Sequence, residues 1–194
     1  MSVKRFLLSA AFVISWIRPA LAEVPERYFD AGDPIEFCND TFYFAWSAHP
    51  RAIYYLQEYL PEGESFDSYT RMFTVGVIFW DRTPAEAVRA KIAELENCKR
   101  TDPVCRYLVA EKDGEYILDF IVGDGRNGVL DLVEADVHYY RQVTVDGKKA
   151  SLLCFYSCRA YGEDILPFMK TIPDLRNEWY RGMSELDIVP KFVK

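Results

Sequence analysis

Three residues of one predicted hairpin have the side chains of an acyl-transfer site. The turn Asp146-Gly147 predicts a long antiparallel hairpin. Its register places Ser157 across from Asp136, with His138 two residues along the same face. A serine, a base and an orienting acid within reach of one another can form an acyl-enzyme. The set allows a small serine hydrolase, but the chain has no Gly-x-Ser-x-Gly elbow. A solvated polar sheet face is the interpretation that we favour.

No metal or cofactor site is expected. The chain has no His-Glu-x-x-His motif and no cysteine pair at zinc spacing. The glycine-rich segment 123–128 hints at a calcium loop, but Arg126 stands where an oxygen ligand is needed. The same segment lacks the Gly-Lys-Ser/Thr of a phosphate-binding loop.

Five cysteines raise the question of disulfides. Cys98 and Cys105 bracket a short loop between a predicted helix and the next strand, so we expect a disulfide between them. Cys154 and Cys158 would lie roughly 13 Å apart on a strand, beyond the roughly 7 Å Cα reach of a disulfide. One of them could pair with Cys38. The odd number leaves at least one thiol unpaired or in an intermolecular link, and we expect it to be buried and inert.

Aromatic side chains cluster around the Pro61 turn and suggest a surface for a partner. Aromatic patches with acidic neighbours suit the recognition of proteins or carbohydrates. Strand alternation is expected to bury roughly half of them. The predicted partner-binding residues are Tyr54, Tyr55, Tyr59, Phe66 and Tyr69.

The N-terminal residues predict that the protein is exported. Lys4 and Arg5 precede an apolar run, and Ala20-Leu21-Ala22 supplies a cleavage site, which is the layout of a signal peptide over residues 1–22. The run is shorter than a membrane span of roughly 20 residues. No cysteine follows the cleavage site, so no stable membrane anchor is expected. We therefore expect a periplasmic or secreted protein.

Composition favours a folded, acidic chain. Half of the residues are hydrophobic and 15% are aromatic, which excludes a disordered chain. The formal net charge is −7. Nucleic-acid and anionic-membrane surfaces need clustered positive charge, so neither is expected as a partner, whereas a basic protein is permitted. The predicted organisation is a signal peptide over 1–22, an N-terminal loop segment over 23–41 and a single α+β domain over 42–194.

Local signals predict the first elements. Strands are expected over 42–48, 53–60 and 69–80 because these segments are rich in aromatic and β-branched residues. A helix is expected to begin at Thr83-Pro84-Ala85-Glu86, which supplies a cap, a first-turn proline and a capping glutamate. It should end near Asn97-Cys98.

Two hairpins follow, each with an Asp-Gly turn. In the first, around Asp113-Gly114, Val109 should face Leu118 and Tyr107 should face Phe120. One face of the second is apolar and the other mixed, as expected when an antiparallel sheet is covered on one side. Its further predicted pairs are Val143 with Ala150, Tyr139 with Cys154, Val137 with Tyr156, Ala135 with Cys158, Glu134 with Arg159, His138 with Phe155 and Gln142 with Ser151.

The last segment is helical, and Pro167 and Pro173 are expected to divide it into two pieces. An apolar stripe at helical spacing marks the second piece. Its residues are Leu175, Trp179, Met183 and Leu186. The order of elements predicts the α+β class, with an antiparallel sheet of about six to seven strands and helices packed mainly on one face.

One turn and the strand after it resemble a known group of proteins. The segment Glu58-Tyr59-Leu60-Pro61-Glu62-Gly63-Glu64-Ser65, followed by Tyr69-Thr70-Arg71-Met72-Phe73-Thr74, resembles an aromatic-x-Pro-x-Gly-Glu-Ser/Thr turn and strand. Uncharacterised exported bacterial proteins have this pattern. The order of elements over 42–186 is also similar to the PsbP-like fold. The resemblance implies no reaction, since PsbP-like domains mostly bind proteins or act as accessory subunits.

These observations predict an exported soluble binding or accessory protein rather than an enzyme. The expected partner is another protein in the bacterial periplasm or outside the cell. The alternatives are a serine hydrolase using Ser157, His138 and Asp136, and a structural accessory subunit of an envelope complex. No oligomeric state follows from the sequence.

Overall fold

The computed structural model describes residues 25–79, 83–126 and 128–193, so the predicted signal peptide lies outside the described residues. Ten strands and two α-helices occupy these ranges. In chain order they are β1 (Phe29–Asp30), β2 (Ile35–Phe37), β3 (Asp40–Arg51), β4 (Tyr54–Leu60), β5 (Arg71–Ile78), α1 (Pro84–Cys98), β6 (Arg106–Lys112), β7 (Glu115–Arg126), β8 (Val129–Val145), β9 (Lys148–Tyr161), α2 (Ile165–Glu185) and β10 (Lys191–Phe192).

Eight of the strands form one antiparallel sheet in the order β2-β3-β4-β5-β9-β8-β7-β6, which curls into a half-barrel. β1 and β10 pair separately, with Phe29 opposite Phe192. Strands make up 51% of the described residues and helices 24%. The predicted α+β class, with helices layered mainly on one face of six to seven strands, is therefore wrong, and so is the PsbP-like arrangement.

Two features account for this correction. β2 lies inside the predicted loop segment 23–41 and has three residues, too few for alternation to be recognised in the sequence. In addition, the helices lie against opposite faces of the sheet. Phe155 packs with Val88 of α1, whereas its neighbour Tyr156 packs with Trp179 of α2. We refer to these two sides as the α1 face and the α2 face.

The two long central strands, β8 and β9, are buried on both faces. Successive strand residues point to opposite sides, and α1 and α2 each cover one side. The continuously buried segments are 133–140 and 150–158. The mixed face of the predicted hairpin is therefore part of the interior.

Both predicted hairpins have the expected register. Asp113-Gly114 and Asp146-Gly147 form their turns with positive φ at all four residues, as a two-residue turn of this kind requires. Val109 pairs with Leu118 in the first hairpin. Every predicted pair of the second hairpin is present.

α1 begins as predicted. Thr83 has extended backbone, Pro84 is the first helical residue, and a Glu86 carboxylate oxygen accepts the Thr83 backbone N–H at 2.8 Å. This capping box satisfies donors that the first helical turn leaves without partners. The helix ends at Cys98.

α2 is one helix rather than two pieces. It continues through Pro173, so the predicted division at Pro167 and Pro173 is wrong. Trp179 and Met183 of the predicted stripe are buried, and the Tyr180 hydroxyl donates to Asp119 of β7. This anchoring to the sheet holds α2 together across the hydrogen bond that Pro173 removes. Within the described ranges, neither helix has the length and apolar character needed to cross a bilayer.

The substitution Pro173→Ala is expected to raise the free energy of unfolding by about 1–3 kcal/mol, because alanine restores a hydrogen bond inside α2 and removes a ring clash. Chemical denaturation measures the change. Pro167→Ala is the matched control in the first turn, where proline costs little, and should change the free energy by less than about 0.5 kcal/mol. A Pro173→Ala variant no more stable than the wild type would contradict the continuous helix.

Candidate functional site

The three residues of the predicted hydrolase lie together on the α1 face, but in a different arrangement. The Ser157 hydroxyl donates to Asp136 Oδ1 at 2.5 Å. His138 Nε2 lies 3.8 Å from the same carboxylate oxygen, and His138 Nδ1 lies 3.0 Å from the Tyr140 hydroxyl. A nucleophile of this kind needs the base, not the acid, as its direct partner. The serine is held as a donor to a carboxylate.

Burial also separates these residues from any substrate. His138 is 0% exposed, Asp136 1% and Ser157 2%. The imidazole ring stacks on Phe155 with 3.8 Å between centroids and meets the Phe120 ring edge-on. Burial lowers the pKa of His138 well below its usual value, so the ring stays neutral. The geometry supports a structural role for the set, not acyl transfer.

An ion pair crosses the same face beside them. Arg159 Nε contacts Glu134 Oε2, and Glu134 is 0% exposed. Burial, followed by the nearby Asp136 charge, raises the pKa of Glu134 to about 7. Burial raises the pKa of Asp136 to about 6. Two buried carboxyl groups with raised pKa values thus lie beside one guanidinium, and the interpretation of this face as solvated is wrong.

The segment after the Pro61 turn closes over this ion pair. The Tyr69 hydroxyl donates to Glu134 Oε2 at 3.2 Å, and the Arg159 guanidinium lies 4.0 Å above the Tyr69 ring. The Tyr161 hydroxyl donates to the Tyr69 carbonyl oxygen at 2.8 Å. Sequence reasoning pairs Glu134 with Arg159 but misses Tyr69 as their cover, because the contact joins residues distant in the chain.

The predicted aromatic surface is not assembled. Tyr59 and Tyr69 are core residues with 0% and 3% exposed. The other three are half-buried: Tyr54, Tyr55 and Phe66. Tyr54 and Tyr55 are neighbours on β4, so their side chains point to opposite faces of the sheet. The five predicted residues share no single exposed surface.

Cys98 and Cys105 do lie close together. Their Sγ atoms and a carboxylate oxygen of Asp102 all lie within 4.8 Å of one another. All five cysteines are free thiols in the structure, so the disulfide stays a prediction. Burial raises the pKa of Cys98 to about 12. Asp102 was not identified from the sequence. Its position, four residues after Cys98 and three before Cys105, was a sign that the three side chains could lie together.

β6 ends the sheet and is exposed along most of its length. Its outer side has no neighbouring strand among the described residues. Leu108 and Val109 are 55% and 47% exposed. The pairing of β6 with β7 is regular, without a bulge, from Arg106 to Lys112. Sequence reasoning misses this feature because the position of a strand in a sheet depends on the order of all strands.

Comparison with known proteins identifies a family to which the chain belongs. One family model matches residues 29–188, which is most of the chain. The chain belongs to this family. The match supports an uncharacterised bacterial family. No curated protein and no solved structure matches the chain.

The neutral, buried state of His138 predicts a specific acid sensitivity. The pKa of His138 is lower in the folded than in the unfolded protein. Below about pH 6.5 the unfolded chain therefore binds more protons than the folded protein, and the free energy of unfolding decreases as the pH is lowered. Relative to His138→Phe, the wild type should lose up to about 1.4 kcal/mol of unfolding free energy per pH unit. Denaturation between about pH 7 and pH 5 measures this slope.

The matched control is His49→Gln, since His49 is the other histidine of the chain and is exposed. This variant should keep the wild-type slope. An equal slope in His138→Phe would show that other groups cause the acid sensitivity.

The buried ion pair predicts a non-additive pair of substitutions. Arg159→Met should lower the unfolding free energy by about 3–5 kcal/mol, because it leaves the Glu134 carboxylate buried without its partner. Adding Glu134→Gln should restore part of that loss, since the carboxylate that lost its ionic partner is then replaced by a neutral amide. Urea denaturation of the two single variants and the double variant measures the coupling. Simple additivity would contradict it.

Proposed function

We propose that this chain is an exported protein-binding module of the bacterial periplasm or cell exterior that docks an extended segment of a partner protein at the β6 edge. The observation that carries the proposal is the long, regular and partly apolar edge of β6. Native sheets usually protect such edges with bulges, proline, charged side chains or a covering element, because an open edge pairs with other chains. The charged side chains of β6 lie only near its two ends, and its middle is uncharged.

The hydrogen-bonding groups of β6 suit an added strand. Lys112 and Glu115 close the two-residue turn, so they form a hydrogen-bonded pair. The pattern alternates along the strand, and Tyr107, Val109 and Glu111 therefore direct their backbone N–H and C=O groups away from β7. These three alternate residues offer a partner strand a continuous ladder of backbone hydrogen bonds.

The opposite edge of the sheet offers much less. β2 ends the sheet there and has three residues. A strand of this length provides few groups to an added chain. The difference between the two edges supports β6 as the docking edge.

The side chains and charges favour a particular occupant. Leu108 and Val109 point to opposite faces of β6, so a partner strand gains apolar contact on both sides. The chain has a formal net charge of −7, which favours a basic partner segment over a second acidic copy. The proposed occupant is an extended, basic segment of a different protein.

Site-specific photocrosslinking in the bacterium that encodes the protein tests this proposal. A photoreactive phenylalanine analogue at position 109 should crosslink to one partner, at a segment of net positive charge. The matched control is position 129, because Val129 is another exposed valine, 66% exposed, outside β6. It should give no such product.

Val109→Pro in the same cells provides the second arm, with the crosslinker moved to position 107. Proline removes an outward N–H but no bond to β7, so the fold should persist while the crosslinked product is lost. A product of twice the chain mass would show a second copy and contradict the proposed occupant. Absence of any product at positions 107 and 109 would contradict the docking edge.

A further inference from the structure

The joint between α1 and β6 brings three metal-ligating side chains together. Cys98 is the last residue of α1, and Cys105 immediately precedes β6. Two consecutive backbone turns join them: the Asp102 N–H donates to the Cys98 carbonyl at 3.0 Å, and the Cys105 N–H donates to the Asp102 carbonyl at 3.3 Å. These turns direct the three side chains to one place, where their ligand atoms lie within 4.8 Å of one another.

We infer that Cys98, Asp102 and Cys105 bind one thiophilic divalent cation, such as Zn²⁺, in the reduced protein. Two sulfur atoms and one carboxylate oxygen suit a borderline-soft cation that prefers tetrahedral coordination. With Zn–S bonds of about 2.3 Å, two sulfurs of a tetrahedral site lie roughly 3.8 Å apart. The two sulfur atoms, at most 4.8 Å apart, therefore need to approach each other by about 1 Å at most.

The surroundings hold the carboxylate in place. Asp102 Oδ1 accepts the Val104 N–H at 2.8 Å, and Oδ2 accepts the Gly123 N–H of β7 at 2.7 Å. Each carboxylate oxygen has a second lone pair, so these bonds orient the group without using its whole capacity. Outer hydrogen bonds of this kind commonly fix metal ligands.

Exposure leaves room for a fourth ligand. Cys105 is 0% exposed and Asp102 8%, whereas Cys98 is only half-buried. Three protein ligands with one open side are completed by a water molecule in many zinc sites. Binding releases the two thiol protons to solvent, and the centre carries a net charge of −1. Lys99 and Arg106, which act on the Cys105 thiol electrostatically, offset that charge.

Cobalt substitution tests the site in the reduced, full-length protein. One equivalent of Co²⁺ should bind and produce sulfur-to-cobalt charge-transfer absorption in the near ultraviolet, which Zn²⁺ should abolish. Cys98→Ser and Cys105→Ser should each remove the absorption and weaken zinc binding at least about tenfold, and Asp102→Asn should weaken it about 10- to 100-fold. Cys38→Ser is the matched control, because Cys38 is also half-buried but lies outside the group, and it should bind as the wild type does.

Native mass spectrometry of the protein isolated from its own cells provides an independent readout. A mass increase of one zinc ion that disappears in Cys98→Ser supports the proposal. A mass two hydrogens lower, with a Cys98–Cys105 crosslinked peptide, overturns it in favour of the predicted disulfide. Metal-dependent absorption that survives in Cys98→Ser, with far-UV circular dichroism unchanged, also overturns it.

Discussion

The rest of this fold depends on the burial of β8 and β9 on both faces of the sheet. Both strands are covered by α1 on one side and by α2 on the other, so every polar side chain between them needs a partner inside the protein. Arg159 meets Glu134, and Ser157 meets Asp136, and these pairs form directly across the two strands. The register of one hairpin thus decides both the apolar core and the polar contacts within it.

This constraint also decides where function can reside. The residues of the predicted hydrolase site, such as Ser157 and His138, belong to the interior and contribute to packing and polar contacts there. The surface features with unused capacity lie at the other end of the sheet, along β6 and at its junction with α1. The two are adjacent, since Cys105 immediately precedes the first residue of β6. A ligand or covalent bond at this junction would therefore fix the start of the exposed strand.

Local signals were sufficient for the hairpins and for α1. The Asp-Gly turns with alternating apolar residues specify one register, and Thr83-Pro84-Ala85-Glu86 specifies one helix start. The cover of the α1 face was not predictable in this way, because buried polar residues such as Glu134 and Asp136 alternate just as solvated ones do. The predicted break at Pro173 is wrong for a related reason, since contacts of α2 with the sheet override a local helix breaker. The buried site depends on contacts between segments distant in the chain.

The pairing of β1 with β10 has a consequence for synthesis. Phe29 lies close to the start of the described residues, and its partner Phe192 lies near their end, where it also contacts Tyr55 of β4 edge-on. A growing chain holds its first strand without a partner until it has been made as far as residue 192. Contacts of such large sequence separation slow folding. The pairing of β1 with β10 is therefore expected among the last steps of folding.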